Sequence, residues 1–279
     1  MIVALLIAGA AIAHATWNIA LKRADTGGPV FLWLAFVVGA VLFAPLGIGA
    51  IIDGGIAWLP LAAVSGALQI AYFYVLQFAY RRGDVSVVYP LARGTGPLLS
   101  VAFAMLLFEE RPGTIALVGA AVVILGVVVI GLAGGQGNAH VNRPGVVFGL
   151  TVGVVIAVYT LWDSNAVING GMPPLGYYWA LVAGAVLLTP VVVRQRAQLL
   201  PAIRRHWLVA LIVGVLSPAA YVLVLFAMQL APVSIVAPAR EVSVVLVGLA
   251  GWLLFRVPHP VQRLIGAAIV LLGVGLLAL

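Results

Sequence analysis

The chain has 279 residues, of which 65% are hydrophobic and only 8% are charged, with a mean hydropathy of +1.24. Soluble domains carry about 25% charged residues, so this chain cannot cover itself with a polar surface and must have lipid as its solvent. The net charge of +7 lies in short basic clusters between apolar runs and forms no basic stripe with interleaved aromatic residues, which argues against nucleic-acid binding. The absence of cysteine excludes disulfides and thiolate metal sites.

About ten apolar runs follow one another along the chain, each near the length of about 20 residues that a membrane-crossing helix needs. A polar stretch divides them into two groups of five. We therefore predict an all-α membrane protein with a first repeat at 1–133, a linker at 134–144 and a second repeat at 145–279. The predicted spans are 2–21, 29–52, 58–80, 85–108, 114–132, 145–165, 174–193, 207–230, 233–255 and 261–279.

The two halves share a sequence pattern in nearly constant register, which shifts by one residue between Pro90 and Arg93. The matched pairs are 85–90 with 233–238, Arg93 with Arg240, Gly119 with Gly266, Gly126 with Gly273 and, more weakly, Trp17-Asn18 with Trp162-Asp163. Because five spans per half is an odd number, the second half must enter the membrane in the opposite orientation. Many secondary transporters use inverted repeats of this kind to build two gates around one site.

The fourth and fifth predicted spans resemble a known signature. The segment 85–90, the run Leu106-Leu107-Phe108-Glu109-Glu110-Arg111-Pro112, and Gly119 and Gly126 are similar to the EamA-type, ten-helix branch of the drug/metabolite transporter superfamily. The run 14–18 followed by Lys22 resembles the first helix of that family, whereas Arg256 stands where an acidic residue is usual. The resemblance covers nearly the whole chain and implies export or import of a small metabolite. The same superfamily implies one alternative, a flippase or scramblase for lipid-linked headgroups.

Basic residues between the predicted spans are strongly asymmetric. Eleven Lys and Arg residues follow the odd-numbered spans, whereas only Arg111 follows an even-numbered one. Since such residues accumulate on the cytoplasmic side, we predict a multi-pass protein of the cell (inner) membrane with both termini outside the cytoplasm. Relatives of this type are usually drawn with their termini inside, so the charges and the resemblance disagree.

Arg93 and Arg240 are the principal candidates for a binding site, since an ionisable residue within a span costs about 2.5–3.5 kcal/mol on insertion scales. They lie roughly 12 Å and 10 Å along spans that enter from opposite faces of the membrane. A guanidinium offers a fork of donors that suits a carboxylate or phosphate. We predict that the two arginines flank a central cavity and hold an anionic or zwitterionic metabolite. The alternative is an internal charge network with Glu241.

Glu241 is the only carboxylate that the predicted spans place well inside the membrane. No ATP-binding motif occurs, so uphill transport would have to use an ion gradient. A carboxylate in apolar surroundings can exchange protons, and we therefore predict Glu241 as the proton-coupling group. A counter-ion for an arginine is the alternative.

Three further sets of residues are weaker candidates. His14 and Asn18 share one helix face with Lys22, which indicates either a polar lining of the substrate route or bonds to neighbouring helices. Gln69, Tyr72 and Tyr221 either line a metabolite cavity or pack helices together. Pro90 and Pro238 remove a backbone hydrogen bond at matched positions, which predicts a paired hinge or, alternatively, two tolerated kinks.

The remaining acidic residues are expected near the ends of spans, among them Asp84, Glu109 and Asp163. No metal-binding spacing, cofactor motif or catalytic constellation occurs, so we do not predict an enzyme. A non-transporting receptor or scaffold is disfavoured because the loops are short. The expected partners are a small-molecule substrate and the lipid bilayer, and the sequence leaves a homodimer open.

Overall fold

A computed structural model describes residues 1–24, 28–54, 59–83, 85–132, 143–184, 188–255 and 260–279. Within these ranges the chain forms helices and turns and no strand. The helices are α1 (Ile2–Ala24), α2 (Gly28–Leu42), α3 (Ala44–Gly54), α4 (Leu59–Arg82), α5 (Val85–Leu107), α6 (Thr114–Leu132), α7 (Arg143–Ile168), α8 (Pro174–Ala183), α9 (Thr189–Arg194), α10 (Leu199–Leu230), α11 (Val233–Ala239), α12 (Val242–Phe255) and α13 (Pro260–Leu277), with a short 3₁₀ helix at Arg196–Gln198.

Each predicted span corresponds to one helix or to two consecutive helices. Seven stretches of the described chain are long and apolar enough to cross a membrane, and the pair α2 and α3, bent by 59°, would add an eighth. The last helix is apolar but shorter, over Val261–Leu277. The second, seventh and ninth predicted spans are the divided ones, into α2 and α3, α8 and α9, and α11 and α12.

Some predicted features fall on parts of the chain for which no structure is described. Asp84, Arg256 and residues 134–142 of the predicted linker lie outside the described residues, as does the side chain of Lys22.

The helices are apolar on nearly all sides because both lipid and protein neighbours are apolar. In a bilayer the backbone groups must be satisfied within the chain, which is why helices form throughout. Leu106 and Leu253 stand in the same repeat register as Arg93 and Arg240, and they are 72% and 68% exposed, so the equivalent helices of the two halves both present leucine outward. Such exposure is expected of a surface that contacts lipid rather than water.

The packing of α6 against α13 establishes that the two halves are inverted. A Cβ built on Gly119 would lie 2.9 Å from the carbonyl oxygen of Gly273, and one built on Gly126 would lie 2.8 Å from that of Gly266. The early part of each helix thus meets the late part of the other, so the two helices are antiparallel. Because α6 and α13 are equivalent in the repeat, the halves run in opposite directions through the membrane.

The other helix contacts obey the same two-fold relation. The pairing of α5 with α7 has its counterpart in α12 with α1, and α1 with α10 has its counterpart in α4 with α7. Glycines permit the α5–α7 approach: a Cβ on Gly149 would meet Leu91 at 2.8 Å, and one on Gly153 would meet Thr95 at 2.6 Å. The small-residue spacing of α7 therefore serves helix packing, and the residues at the bundle centre come from both halves.

Candidate functional site

Three charged side chains from the two halves meet at the centre of the bundle. The Nε of Arg93 lies 3.5 Å from Oε2 of Glu241, and the Nε of Arg240 lies 3.6 Å from Oε1 of the same carboxylate. The side chain of Glu241 is 1% exposed, whereas those of Arg93 and Arg240 are 21% and 11% exposed. We call these three residues the arginine–glutamate triad.

A local break in the ninth span places two members of the triad side by side. Pro238 has no N–H to donate to the carbonyl of Ser234, and α11 ends one residue later at Ala239. The N–H of Glu241 then donates to the Pro238 carbonyl at 3.0 Å, a tighter closure than that of an α-helix. Arg240 and Glu241 therefore lie in the turn that precedes α12.

The triad carries more positive than negative charge. Two guanidinium groups share one carboxylate, and an Nη of Arg240 also donates to the hydroxyl of Thr160 at 3.2 Å. The Nε of Arg240 and Oε2 of Glu241 are buried and make no hydrogen bond within the described chain. A buried polar atom without a partner is costly, so one donor and one acceptor of the triad remain available for a further partner.

A second polar centre surrounds Asp163 in α7. Its carboxylate is fully buried and accepts hydrogen bonds from the Ser65 hydroxyl, from Tyr177 Oη at 2.7 Å and from Tyr221 Oη at 2.6 Å. The three donors come from α4, α8 and α10, so four helices converge here. We call Asp163 with Ser65, Tyr177 and Tyr221 the Asp163 cluster. These neighbouring helices enclose Asp163, and its expected position near the membrane interface stays a prediction.

Aromatic rings and one helix turn connect the two centres. The ring of Tyr221 lies 5.3 Å from that of Tyr178 and 6.4 Å from that of Tyr159, which in turn lies 5.6 Å from that of Tyr72. Thr160, which accepts from Arg240, precedes Asp163 by one turn on the same face of α7. The triad and the Asp163 cluster are therefore neighbours along one helix.

A cavity of about 350 Å³ lies between α2, α4, α8 and α9. Along α4 its lining extends from Gly66 to Arg81, roughly 22 Å at the rise of an α-helix. Arg81 and Gln195, which also lines the cavity, belong to the arginine-rich side of the bundle. The volume is within the range of small-molecule sites.

The structure brings some of the predicted site residues together and separates others. Arg93, Arg240 and Glu241 form the triad, Tyr221 joins the Asp163 cluster, and Tyr72 contacts its aromatic extension. Gln69 lines the cavity.

Of the polar residues predicted on the first span, His14 lies close enough to the triad to interact electrostatically with Arg93 and Arg240. The Asn18 amide donates to the His14 carbonyl in its own helix at 2.7 Å. The imidazole of His14 packs edge-on against Trp17, with ring centroids 5.0 Å apart. Their predicted role in lining the substrate route stays a prediction.

Glu110 has a structural role that the sequence did not reveal. Its carboxylate accepts the backbone N–H of Val233 at 2.7 Å and that of Ser234 at 2.9 Å, at the start of α11. A carboxylate stabilises the N-terminus of a helix by satisfying free donors and by opposing the helix dipole. Glu110 thus ties the loop before α6 in the first half to the ninth span in the second half.

Comparison with known proteins agrees with this architecture. The model of the EamA-like transporter family matches the chain twice, over residues 1–132 and 143–279. A crystal structure described only as that of "protein" matches with a TM-score of 0.77 and 19% identity, over 98% of this chain and 95% of the other. No curated protein is significantly similar in sequence. The chain belongs to the EamA-like transporter family and is a multi-pass membrane protein of the transporter class.

Proposed function

We propose that the protein is a secondary transporter that moves a small anionic or zwitterionic metabolite across the cytoplasmic membrane by alternating access. The observation that carries the proposal is the convergence of Arg93 and Arg240, from equivalent positions of two inverted repeats, on the single acid Glu241. One carboxylate cannot neutralise two guanidinium groups, and uncompensated buried charge is costly. An anionic group of the solute would supply the missing negative charge.

We propose that the solute enters through the cavity, although the residues that line it do not include the triad. Its lining extends to the arginine-rich side of the bundle, which the charge distribution predicts to be cytoplasmic. In a two-fold related bundle, an equivalent opening on the other side would form when the halves exchange conformations. Direction of net transport would then depend on the solute and ion gradients rather than on the fold.

A reconstituted flux measurement tests the proposal. Liposomes that contain the purified protein are loaded with unlabelled solute. Counterflow is then measured for a ¹⁴C-labelled panel of dicarboxylates, amino acids, sugars and amines. We expect flux of an anionic or zwitterionic member. Replacing Arg93 or Arg240 with Gln should weaken solute binding about ten-fold or more, because hydrogen bonds to charged groups contribute about 1.5–3 kcal/mol.

A matched control separates a local effect from a general loss of positive charge. Arg204 is an exposed arginine of α10, so Arg204→Gln should leave binding and flux unchanged. The lysine variants Arg93→Lys and Arg240→Lys keep the charge but lose the planar fork, and we expect intermediate affinity. Normal binding by the folded Arg93→Gln and Arg240→Gln double variant would contradict the anion site. Exclusive flux of amines, or movement of a lipid-linked headgroup alone, would contradict the substrate class.

A further inference from the structure

The Asp163 cluster differs chemically from the triad. In the described chain the ion pairs within 4.0 Å all involve Glu241, and Asp163 has no cationic partner at that distance. Its carboxylate is held by hydroxyl groups alone, from Ser65, Tyr177 and Tyr221. An ionised carboxylate buried without a cation is costly, so neutralisation by a proton is a realistic alternative for this group.

The hydroxyl partners can accommodate both protonation states. An ionised carboxylate accepts only, and all three hydroxyls donate to it as the structure records. A protonated carboxyl must also donate, and a hydroxyl that rotates can accept that hydrogen bond. A lysine or arginine partner could not do so, because it has no acceptor. Glu241 differs in this respect, because its two close partners are guanidinium groups, which cannot accept a hydrogen bond.

The charged and titratable groups near Asp163 come from every helix packed around it. Tyr159 belongs to α7 itself, Tyr178 to α8, and Ser65, Tyr177 and Tyr221 are the direct partners. From α5 and the α11–α12 turn come Arg93, Arg240 and Glu241, which are paired with one another, and Arg240 reaches α7 through Thr160.

The cluster also lies beside the cavity. Gly66 and Leu181 both line the cavity. Ser65 directly precedes Gly66 in α4, and Tyr177 precedes Leu181 by one turn of α8. Asp163 itself is about one and a half turns from the end of α7 at Ile168, on the side away from Arg81. It therefore lies between the inner end of the cavity and the opposite face of the membrane.

We propose that Asp163 is a proton-binding site that couples solute movement to a proton gradient, a role that rests on the transport function proposed above. One proton binds a carboxylate oxygen, and a tyrosine hydroxyl at that oxygen turns from donor to acceptor. The proton leaves by the reverse step when the cluster faces the other side. Since Thr160 links Arg240 to the same turn of α7, solute at the triad and a proton at Asp163 act on one helix segment.

Infrared difference spectroscopy of the purified protein tests proton binding without any solute. We expect a carbonyl band of a protonated carboxylic acid that appears and disappears as pH is changed. Exposed acids such as Glu109 also absorb in this region when protonated, so the informative component of the band is the one that is missing in Asp163→Asn and present in Glu241→Gln. Tyr221→Phe should move its frequency, because that variant removes a hydrogen-bond partner and keeps the ring. The proposal would be overturned if Asp163→Asn shows the same titrating band as the wild-type protein and Tyr221→Phe does not change its frequency.

A flux experiment then tests coupling. In liposomes, the labelled solute that counterflow identifies should still exchange through Asp163→Asn, but an imposed pH gradient should no longer accumulate it. Asp163→Glu, which restores a titratable group, should recover part of the accumulation. Wild-type accumulation by Asp163→Asn would overturn the coupling role. Absence of flux from the wild-type protein would instead contradict the transport proposal, while the infrared result would still decide whether Asp163 binds a proton.

Discussion

The fourth span, in the first half, and the ninth span, in the second half, have similar sequences but different shapes. Helix α5 continues from Val85 to Leu107 through both Pro90 and Pro97. The equivalent span stops at Ala239 and resumes at Val242, with Arg240 and Glu241 in the turn between. Matched prolines therefore do not by themselves break a helix in this protein.

The two spans also differ in the residue that follows each arginine. Gly94 follows Arg93, and a Cβ at Gly94 would lie 3.2 Å from Val128 of α6, so α5 packs closely against α6 there. Glu241 follows Arg240, and its side chain lies between the two arginines rather than against a neighbouring helix. Arg93 and Arg240 occupy equivalent positions in the two halves. Glu241, which lies between them, has a glycine, Gly94, at its equivalent position in the first half.

The largest expected effect comes from removing that anion. Glu241→Gln leaves two buried guanidinium groups without a counter-ion and should lower stability by about 3 kcal/mol, since breaking a buried pair costs about 3–5 kcal/mol. The midpoint of thermal unfolding in detergent measures this. Glu109→Gln, at an exposed acid, is the control.

The variant Glu241→Gln also tests whether Glu241 or Asp163 is the proton-coupling group. If Glu241 is a counter-ion, combining Glu241→Gln with Arg240→Gln should recover part of the lost stability. If Glu241 is instead the proton-coupling group, the single variant should lose uptake driven by a pH gradient. Unchanged stability together with lost coupling would favour the second role.

The contact between α6 and α13, the fifth spans of the two halves, should contribute similarly to stability from either side. Gly126→Ala and Gly273→Ala each place a methyl group within 3.0 Å of backbone atoms of the facing helix, and each should cost about 1–3 kcal/mol. Gly275→Ala, in the same helix but with open space around it, should be neutral or slightly stabilising. Unfolding midpoints compare the three variants, and a harmless Gly273→Ala would contradict the close approach.

Glu110 should contribute a smaller amount. Glu110→Ala removes the acceptor of two backbone N–H groups at the start of α11 and should destabilise the protein by about 1 kcal/mol. Glu109→Ala should have no comparable effect, since Glu109 is exposed. Equal unfolding midpoints for the two variants would show that the contact across the halves contributes nothing.

The smallest effect on stability is expected at the prolines, and there the rate of exchange is the better measurement. Pro238→Ala restores a donor next to the break and should slow solute exchange more than Pro90→Ala, which lies inside a continuous helix. Equal slowing by the two variants would support the predicted paired hinge. A difference would locate the moving segment in the second half.

The sequence predicts the fold well because its apolar runs are long and its repeat is regular. Apolar runs of span length, and matched glycines such as Gly119 and Gly266, indicate helices and their equivalence before any contact is known. The α6–α13 contact then follows the repeat. The divisions of the second and seventh spans were missed, since a run of apolar residues does not reveal where a helix bends within it, whereas the ninth span divides one residue after Pro238, a predicted hinge or kink position.

The site was predicted less completely because burial depends on distant parts of the chain. Asp163 is close to a predicted span end, yet Ser65, Tyr177 and Tyr221 from three other helices enclose it. Its weak match to Asn18 in the first half was an available signal that this position is polar in both repeats. Nothing local indicated that Glu110 would meet a helix more than a hundred residues away.

The glycine contact between α6 and α13 has a mechanical consequence. Backbone atoms there approach so closely that neither helix can slide along the other without collision, because each glycine faces a carbonyl of its partner. Side chains pack into the same contact, since Val270 lies against Gly126, Ile130 against Gly266 and Val123 against Gly273. If one half tilts about the α6–α13 contact during transport, the displacement will be small at the contact itself and larger across the bundle, between α2, α4, α8 and α9, where the cavity lies.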